Sequence, residues 1–384
     1  MKKPKISFLV TDISSPGLGV AVNFARMLAG RYDSEIAGPD FGIGVSAMYQ
    51  DLYTFKVVQA RRMYRVPDFF ADCRRLAGVL EGEVIVSVKA FANTLPVALR
   101  EKRRRGRKVI VYLDEWDGAL FRQLSPWRRM LRVLRYVHHP LDDIYYPLVE
   151  RLIPRADAVI STSTFLQEKF GGRIVPFGVD TDHFRPQPPE KTLQLRRELG
   201  LEQGKLIVFG GVARPHKGVE DILEALVVLN SPALRLLIVG PGTFHLDALM
   251  RNPRYKPFLA HTGHRSKEDM PAYLGLADLV VLPLSDTLLS RSQVPCKVFE
   301  AMAMAKPIIA SAVSDLPSIL EGCGWVVAPD HTAELAAAIR FVLSEPAEAR
   351  RRGEAARARC IQQYSLPVAE RAFAEVIEGV RSKP

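Results

Sequence analysis

The chain uses one pattern twice: short runs rich in β-branched residues alternate with helix-patterned segments. Runs at 6–10, 84–88, 109–113 and 158–161 form a first series, and runs at 206–209, 234–239, 278–284, 307–310 and 325–327 form a second. Such runs read as buried parallel strands, and the helical stretches between them as the crossovers that parallel pairing requires. Between the series stands Val175-Pro176-Phe177-Gly178-Val179-Asp180, then a proline-rich polar stretch at 185–190, which reads as a domain boundary. The expected class is α/β, with two doubly wound, Rossmann-like domains facing each other across a cleft. The expected boundaries are 1–183 for the first domain, 184–365 for the second, and 366–384 for a closing helix that packs back on the first.

The totals narrow the field. A chain of 384 residues with 48% hydrophobic and 25% charged residues has material for two real cores. No apolar run reaches membrane-spanning length. Residues 1–5 pass straight into the first strand without the apolar stretch and cleavage site of a secretion signal, so the expected location is cytoplasmic. Cys73, Cys296, Cys323 and Cys360 are scattered without zinc-ligand spacing and are expected as free thiols. Cys296 reads as a small apolar residue rather than a nucleophile. A net charge of +11 suits an anionic partner: nucleic acid, an acidic membrane surface or a phosphorylated ligand. The basic clusters are not interleaved with exposed aromatics in a recognised module, so nucleic acid is not expected.

Two segments carry the chemistry. After the run at 206–209 come Gly210-Gly211-Val212-Ala213-Arg214-Pro215-His216-Lys217-Gly218. Two glycines let the backbone approach a ligand, two cations follow, and a helix starting near Gly218 adds its dipole. That combination forms a phosphate site; the alternative is an ordinary turn with solvated charges. The second segment is Pro295-Cys296-Lys297-Val298-Phe299-Glu300, with Pro295 opening a helix from about Cys296 to Met304. Its unpaired N–H groups near Gln293–Lys297 can meet phosphate, and Glu300 can accept hydrogen bonds from two vicinal ribose hydroxyls. Taken alone, Glu300 is equally a surface residue on an ordinary helix. Together the segments fit a sugar nucleotide.

These two segments resemble the signatures of retaining glycosyltransferases of the GT-B fold, family 4. Supporting similarities run along nearly the whole chain. Residues 175–184 look like that family's interdomain segment, with Phe177 in place of the usual asparagine. Leu237-Ile238-Val239-Gly240-Pro241-Gly242, Thr262-Gly263-His264 and the run through Pro283 are similar again. The resemblance implies an acceptor-binding first domain and a nucleotide-sugar-binding second domain. It implies that Arg214 and Lys217 bind the diphosphate, that Glu300 holds the ribose, and that the backbone at His264 and Arg265 contacts the base. Gly17 and Gly19 would let the first domain approach phosphates and sugar, with Gly211, Gln293, Cys296 and Lys297 lining the donor site. The implied donor is a UDP-, GDP- or other nucleotide sugar, used with retention and without a cofactor or metal. The implied acceptor is a glycan or a lipid-linked molecule.

The departures are specific. The family's first glutamate in the second segment is Ser292 here, beside Gln293. Where the first domain often offers a histidine, this chain has Asp114-Glu115-Trp116-Asp117, so Glu115 or Asp117 could serve sugar or acceptor hydroxyls. Loop carboxylates are as often solvated. Basic clusters recur at Arg61-Arg62 with Arg65, at Arg74-Arg75 and at 102–108. In 127–136, Trp127, Met130, Leu131 and Leu134 share one helical face, and Arg128, Arg132 and Arg135 another. Such a helix can lie on an anionic bilayer; equally, its apolar face can pack on the first core with the arginines in solvent. Competing functions are a degenerate nucleotide- or membrane-binding protein, a sugar-nucleotide epimerase and a phosphorylase, the latter two without positive support. A nicotinamide dehydrogenase is disfavoured because Gly17-Leu18-Gly19 lacks the third glycine of the dinucleotide fingerprint.

Overall fold

The computed structural model describes residues 3–45, 49–50, 53, 55–60, 63 and 65–382. The chain divides into two units, one of residues 1–176 with 369–384 and one of residues 177–368.

The first unit is a seven-stranded, all-parallel sheet. Its strands are β1 (Lys5–Leu9), β2 (Asp33–Asp40), β3 (Phe55–Gln59), β4 (Val84–Val88), β5 (Lys108–Leu113), β6 (Ala158–Ser161) and β7 (Arg173–Ile174). The spatial order β3-β2-β1-β4-β5-β6-β7 reverses direction between β1 and β4. β2 was not evident from its DSEIAGPD sequence, which is poor in strand formers. It pairs with β1 from Lys5↔Asp33 to Leu9↔Ala37, and any Cβ on Gly38 would sit 2.6 Å from the Val10 side chain. Close approach, rather than propensity, places it. The helix expected at Val20–Leu28 begins earlier, at Pro16, so Gly17 and Gly19 lie in its first turn rather than in a loop. The closing helix, Leu366–Arg381, inserts Phe373 between Phe8 and Phe24, with ring centroids 6.4 and 4.9 Å away. Phe24 packs edge-on against Tyr112 of β5 at 4.8 Å.

The second unit is a six-stranded parallel sheet of β8 (Lys205–Gly210), β9 (Leu234–Val239), β10 (Leu259–His261), β11 (Leu279–Leu282), β12 (Ile308–Ser311) and β13 (Trp325–Val327). Its order is β10-β9-β8-β11-β12-β13, reversing between β8 and β11. Alternate residues feed opposite faces. Leu206, Val208, Leu237, Val280 and Ala310 enter one core, and Ile207, Phe209, Leu236, Val281 and Ile309 the other. Helices cover both faces, which is why the strands read as continuous apolar runs. Where the chain enters and leaves this unit, Val179 N donates to Tyr364 O at 2.9 Å and Leu366 N donates to Val179 O at 2.9 Å. Arg357 ties the same region to the helix Cys296–Ala303: its guanidinium donates to the carbonyls of Phe184, Thr181 and Ala303. A cation on the last carbonyls of that helix complements its dipole.

Candidate functional site

In an open parallel sheet, ligands bind beyond the carboxyl ends of the strands, where the strand order reverses. In the second unit that point lies between β8 and β11, and the two segments singled out by sequence leave the sheet from these two strands. The loop after β8 turns at Gly211, whose φ of +103° favours glycine, whereas Gly210 is not left-handed. It then makes a single 3-10 turn over Pro215–Lys217. Gly218 follows at φ +68°, as N-cap of the helix Val219–Leu229. A Cβ on Gly218 would sit 1.8 Å from Pro283 O at the exit of β11, so the two loops touch through this glycine. Ser285 N also donates to His216 O, at 3.3 Å.

From β11 the chain makes a short helix, Leu288–Ser292, and then the helix Cys296–Ala303, with Pro295 as N-cap rather than first helical residue. No side chain caps this helix, which leaves first-turn N–H groups available to an anion. Lys217 Nζ donates to Gln293 Oε1 at 2.7 Å. The Lys297 ammonium lies against Gly211, 2.8 Å from where a Cβ would stand, and 4.5 Å above the Phe209 ring. Burial lowers the Lys297 pKa and nearby Arg214 adds to the effect, with Glu300 opposing it. Burial raises that of Glu300, opposed by Lys297 and Lys267. Among the described residues, no carboxylate lies within ion-pair distance of Lys297 or Arg214. The site thus gathers Gly211, Arg214, Lys217, Gln293, Cys296, Lys297 and Glu300, with three cations and one carboxylate among them.

The β9 and β10 exits complete that edge. Gly240 N donates to Gly263 O at 3.0 Å, Gly211 N donates to Val239 O at 2.6 Å, and a Cβ on Gly240 would collide with Gly211 O at 2.3 Å. Three strand exits therefore close on one another only because glycines stand there. His264 and Arg265 follow at the β10 exit; His264 is exposed, and the Arg265 guanidinium stacks 5.2 Å from the Tyr273 ring. Ser292 is fully buried, its hydroxyl donating to Leu289 O at 2.8 Å, so it presents nothing to a ligand.

In the first unit, strand order reverses between β1 and β4. Lys89, just past β4, has a φ of +65°, a conformation that costs a lysine on the order of 1 kcal/mol. Its N–H donates to Tyr112 O at 2.8 Å, and its carbonyl accepts from Ser87 Oγ at 2.7 Å and Thr94 Oγ1 at 3.1 Å. The strained backbone sends the ammonium into three carboxylates on the loop after β5: Glu115, Asp117 at 3.0 Å and Asp114 at 3.5 Å. Burial opposes the Lys89 charge, but the three anions outweigh it and raise its pKa. The Asp117 carboxyl is pushed up to about 7 by burial, with Lys89 opposing and Glu115 and Asp114 adding to the rise. Glu115 and Asp117 are therefore an ordered, lysine-held pair rather than solvated loop residues. The sequence reading missed Lys89; its one signal was a lone lysine directly after an apolar strand.

Gly17 and Gly19 begin the helix that follows β1. A Cβ on Gly19 would meet the Tyr49 hydroxyl at 2.6 Å, while Gly17 has ordinary room. The basic pair Arg61-Arg62 lies outside the described residues. All four cysteines are free, and among the described residues no helix is long and apolar enough to cross a membrane.

Residues 203–345 match the family model for glycosyl transferases group 1. The chain is 29% identical over 197 residues to the alpha-D-kanosaminyltransferase of Streptomyces kanamyceticus, a match covering 49% of this chain and 50% of that one. It is thus matched to only half the length of that relative. It is 26% identical over 312 residues to the GDP-mannose-dependent alpha-(1-6)-phosphatidylinositol monomannoside mannosyltransferase of Mycolicibacterium smegmatis, covering 74% of this chain and 81% of that one. The structure superposes on the Anabaena protein HepE in complex with UDP with a TM-score of 0.76 at 19% identity, covering 98% of this chain and 100% of that one. At that identity the likeness establishes the fold.

Proposed function

We propose that this chain, a GT-B protein whose residues 203–345 belong to the glycosyl transferases group 1, transfers a sugar from a nucleotide-diphosphate sugar to a hydroxyl of a glycan or lipid-linked acceptor. The transfer proceeds with retention and without a metal ion. One observation carries this reading: the cations Arg214, Lys217 and Lys297 meet at the strand-order reversal of the second unit, beside the N-terminus of the helix Cys296–Ala303. Breaking a glycosyl–phosphate bond builds negative charge on the departing diphosphate. Cations and helix N–H groups already in place stabilise that charge without reorganising. Glu300, whose charge is disfavoured by burial, regains hydrogen bonds when it accepts from ribose hydroxyls. In the first unit, Glu115 and Asp117, held by Lys89, bind hydroxyls of the acceptor or the transferred sugar.

The test is thermal shift of the purified chain against UDP-, GDP-, ADP- and dTDP-sugars with EDTA present, followed by transfer to candidate acceptors with the anomeric configuration read by NMR. A ligand that binds the native state raises the melting temperature by mass action. A shift with one nucleotide, followed by a retained product in EDTA, is the expected result. An inverted product, or activity abolished by EDTA, would refute those two parts of the reading. A second reading, nucleotide binding without turnover, is favoured by Ser292, which is buried where a sugar-binding carboxylate is expected. A donor that shifts melting but is neither transferred nor hydrolysed would select it.

A further inference from the structure

The connection from Leu113 to Ala158 carries a helix mounted inside out. Helix Pro126–Tyr136 has no buried residue. Stepping about 100° per residue, Trp127, Met130, Leu131, Val133, Leu134 and Val137 fall on one arc, and Arg128, Arg129, Arg132 and Arg135 on the opposite one. Arg129 and Arg132, at the middle of the arginine arc, face the protein. Arg132 pairs with Asp143 at 2.5 Å and Asp142 at 3.3 Å, with its guanidinium 5.2 Å from the Tyr136 ring. Arg129 donates to the Arg122 carbonyl. The apolar arc is left in solvent, with Trp127 63% and Leu134 70% exposed. Leu120 and Leu148, on the adjoining helices Ala119–Gln123 and Tyr146–Glu150, are exposed as well. Of the two alternatives drawn from sequence, packing of the apolar face on the first core does not occur, and the outward apolar face is the one that lying on a bilayer requires. A contiguous apolar face of this kind marks a surface that something covers.

We propose that this face docks in the plane of an anionic lipid bilayer, with Trp127, Met130, Leu131 and Leu134 entering the acyl boundary. Charge complementarity selects this occupant. Arg128 and Arg135 are exposed at the margin of the apolar arc, where phosphate headgroups would lie. The chain also carries a net charge of +11. Apolar insertion and headgroup attraction together are what hold an interfacial helix. A second copy of the chain fits less well. A helix of 11 residues offers one short stripe against the roughly 800 Å² per partner of a stable interface. A two-fold contact would also set arginine margin against arginine margin. The proposal stands apart from the sugar-transfer reading, because it uses none of the residues on which that reading depends.

The experiment is co-sedimentation of the full chain with vesicles of equal parts phosphatidylglycerol and phosphatidylcholine, and with phosphatidylcholine alone, at low and high salt. The expected result is pelleting with the anionic vesicles at low salt only. Leu134→Glu should lower the partition coefficient by roughly tenfold or more, the scale of losing one buried leucine. Arg135→Gln should lower it by about fivefold and reduce its salt dependence. Both side chains are exposed, so both variants should melt like the parent chain. If Leu134→Glu melts lower, Arg128→Gln with Arg135→Gln carries the test. The proposal is overturned if the parent chain stays in the supernatant, or if the variants pellet as it does. It is equally overturned if Leu134→Glu instead dissociates a dimer seen by analytical ultracentrifugation without vesicles.

Discussion

Replacing Lys217 by alanine tests the central electrostatic claim. Lys217 Nζ lies 2.7 Å from Gln293 Oε1, which holds it between the loop after β8 and the start of the helix Cys296–Ala303. As the glycosyl bond breaks, the diphosphate gains about one unit of negative charge. A cation ~4 Å away at an effective dielectric constant of ~20 is worth about 4 kcal/mol to that charge. This is an upper figure, since Lys217 is only half-buried and Arg214 and Lys297 remain. Removing one preorganised donor of this kind costs about 3 kcal/mol, or ~10²-fold in kcat. The charge already present on the bound donor also loses a partner, so donor KM should rise in addition to the fall in kcat. A partly exposed lysine contributes little to folding, and the melting temperature should hardly move. The assay is steady-state transfer with donor varied, beside a melting curve, with Lys217→Arg as the charge-preserving control. Unchanged turnover in a folded Lys217→Ala protein would refute the argument. A fall in kcat that Lys217→Arg does not relieve at all would point to shape rather than charge.

Three further outcomes follow from the packing. Gly218→Ala should destabilise the second unit by more than about 2 kcal/mol, because it combines a φ of +68° with a backbone oxygen 1.8 Å from the new Cβ; the midpoint of urea unfolding reads this. Phe373→Ala should cost the first unit about 3–5 kcal/mol, since its fully buried ring fills the space between Phe8 and Phe24; calorimetry should show the loss in one transition. Asp117→Asn should flatten a pH dependence. The folded carboxyl titrates at about 7 and the unfolded one near 3.9, so between those values the folded chain holds a proton that the unfolded chain has released. This contribution to stability is present in full below about pH 4 and is lost as pH rises through about 7. Melting curves at acid and neutral pH should show that slope in the parent chain and a smaller one in the variant.

The apolar strands were legible because strands buried on both faces must be apolar throughout. β4 (Val84–Val88), β9 (Leu234–Val239) and β13 (Trp325–Val327) lie where the runs place them. β2, β3, β7 and β10 were not read. β2 is set by the approach of Gly38 to Val10, and β10 is three half-buried residues at a sheet edge. Neither arrangement leaves a periodic pattern. The segment pair around Arg214 and Glu300 was legible because local spacing after a strand already specifies a turn and a helix start. Lys89 was not. Its partners, Asp114, Glu115 and Asp117, lie on the next strand's exit, and its left-handed backbone is held by β5.

By itself, the sequence determined two βα series and the glycine-rich and helix-initiating segments that end their central strands, since these depend on periodicity and local turn chemistry. Only the tertiary structure decided which charges meet. Lys297 lies against Gly211, Lys89 is enclosed by three carboxylates, Ser292 turns inward, and the helix Pro126–Tyr136 shows its apolar side to solvent. Those outcomes depend on strand order and on which face of each helix finds a partner, and both are set by contacts between residues far apart in the chain.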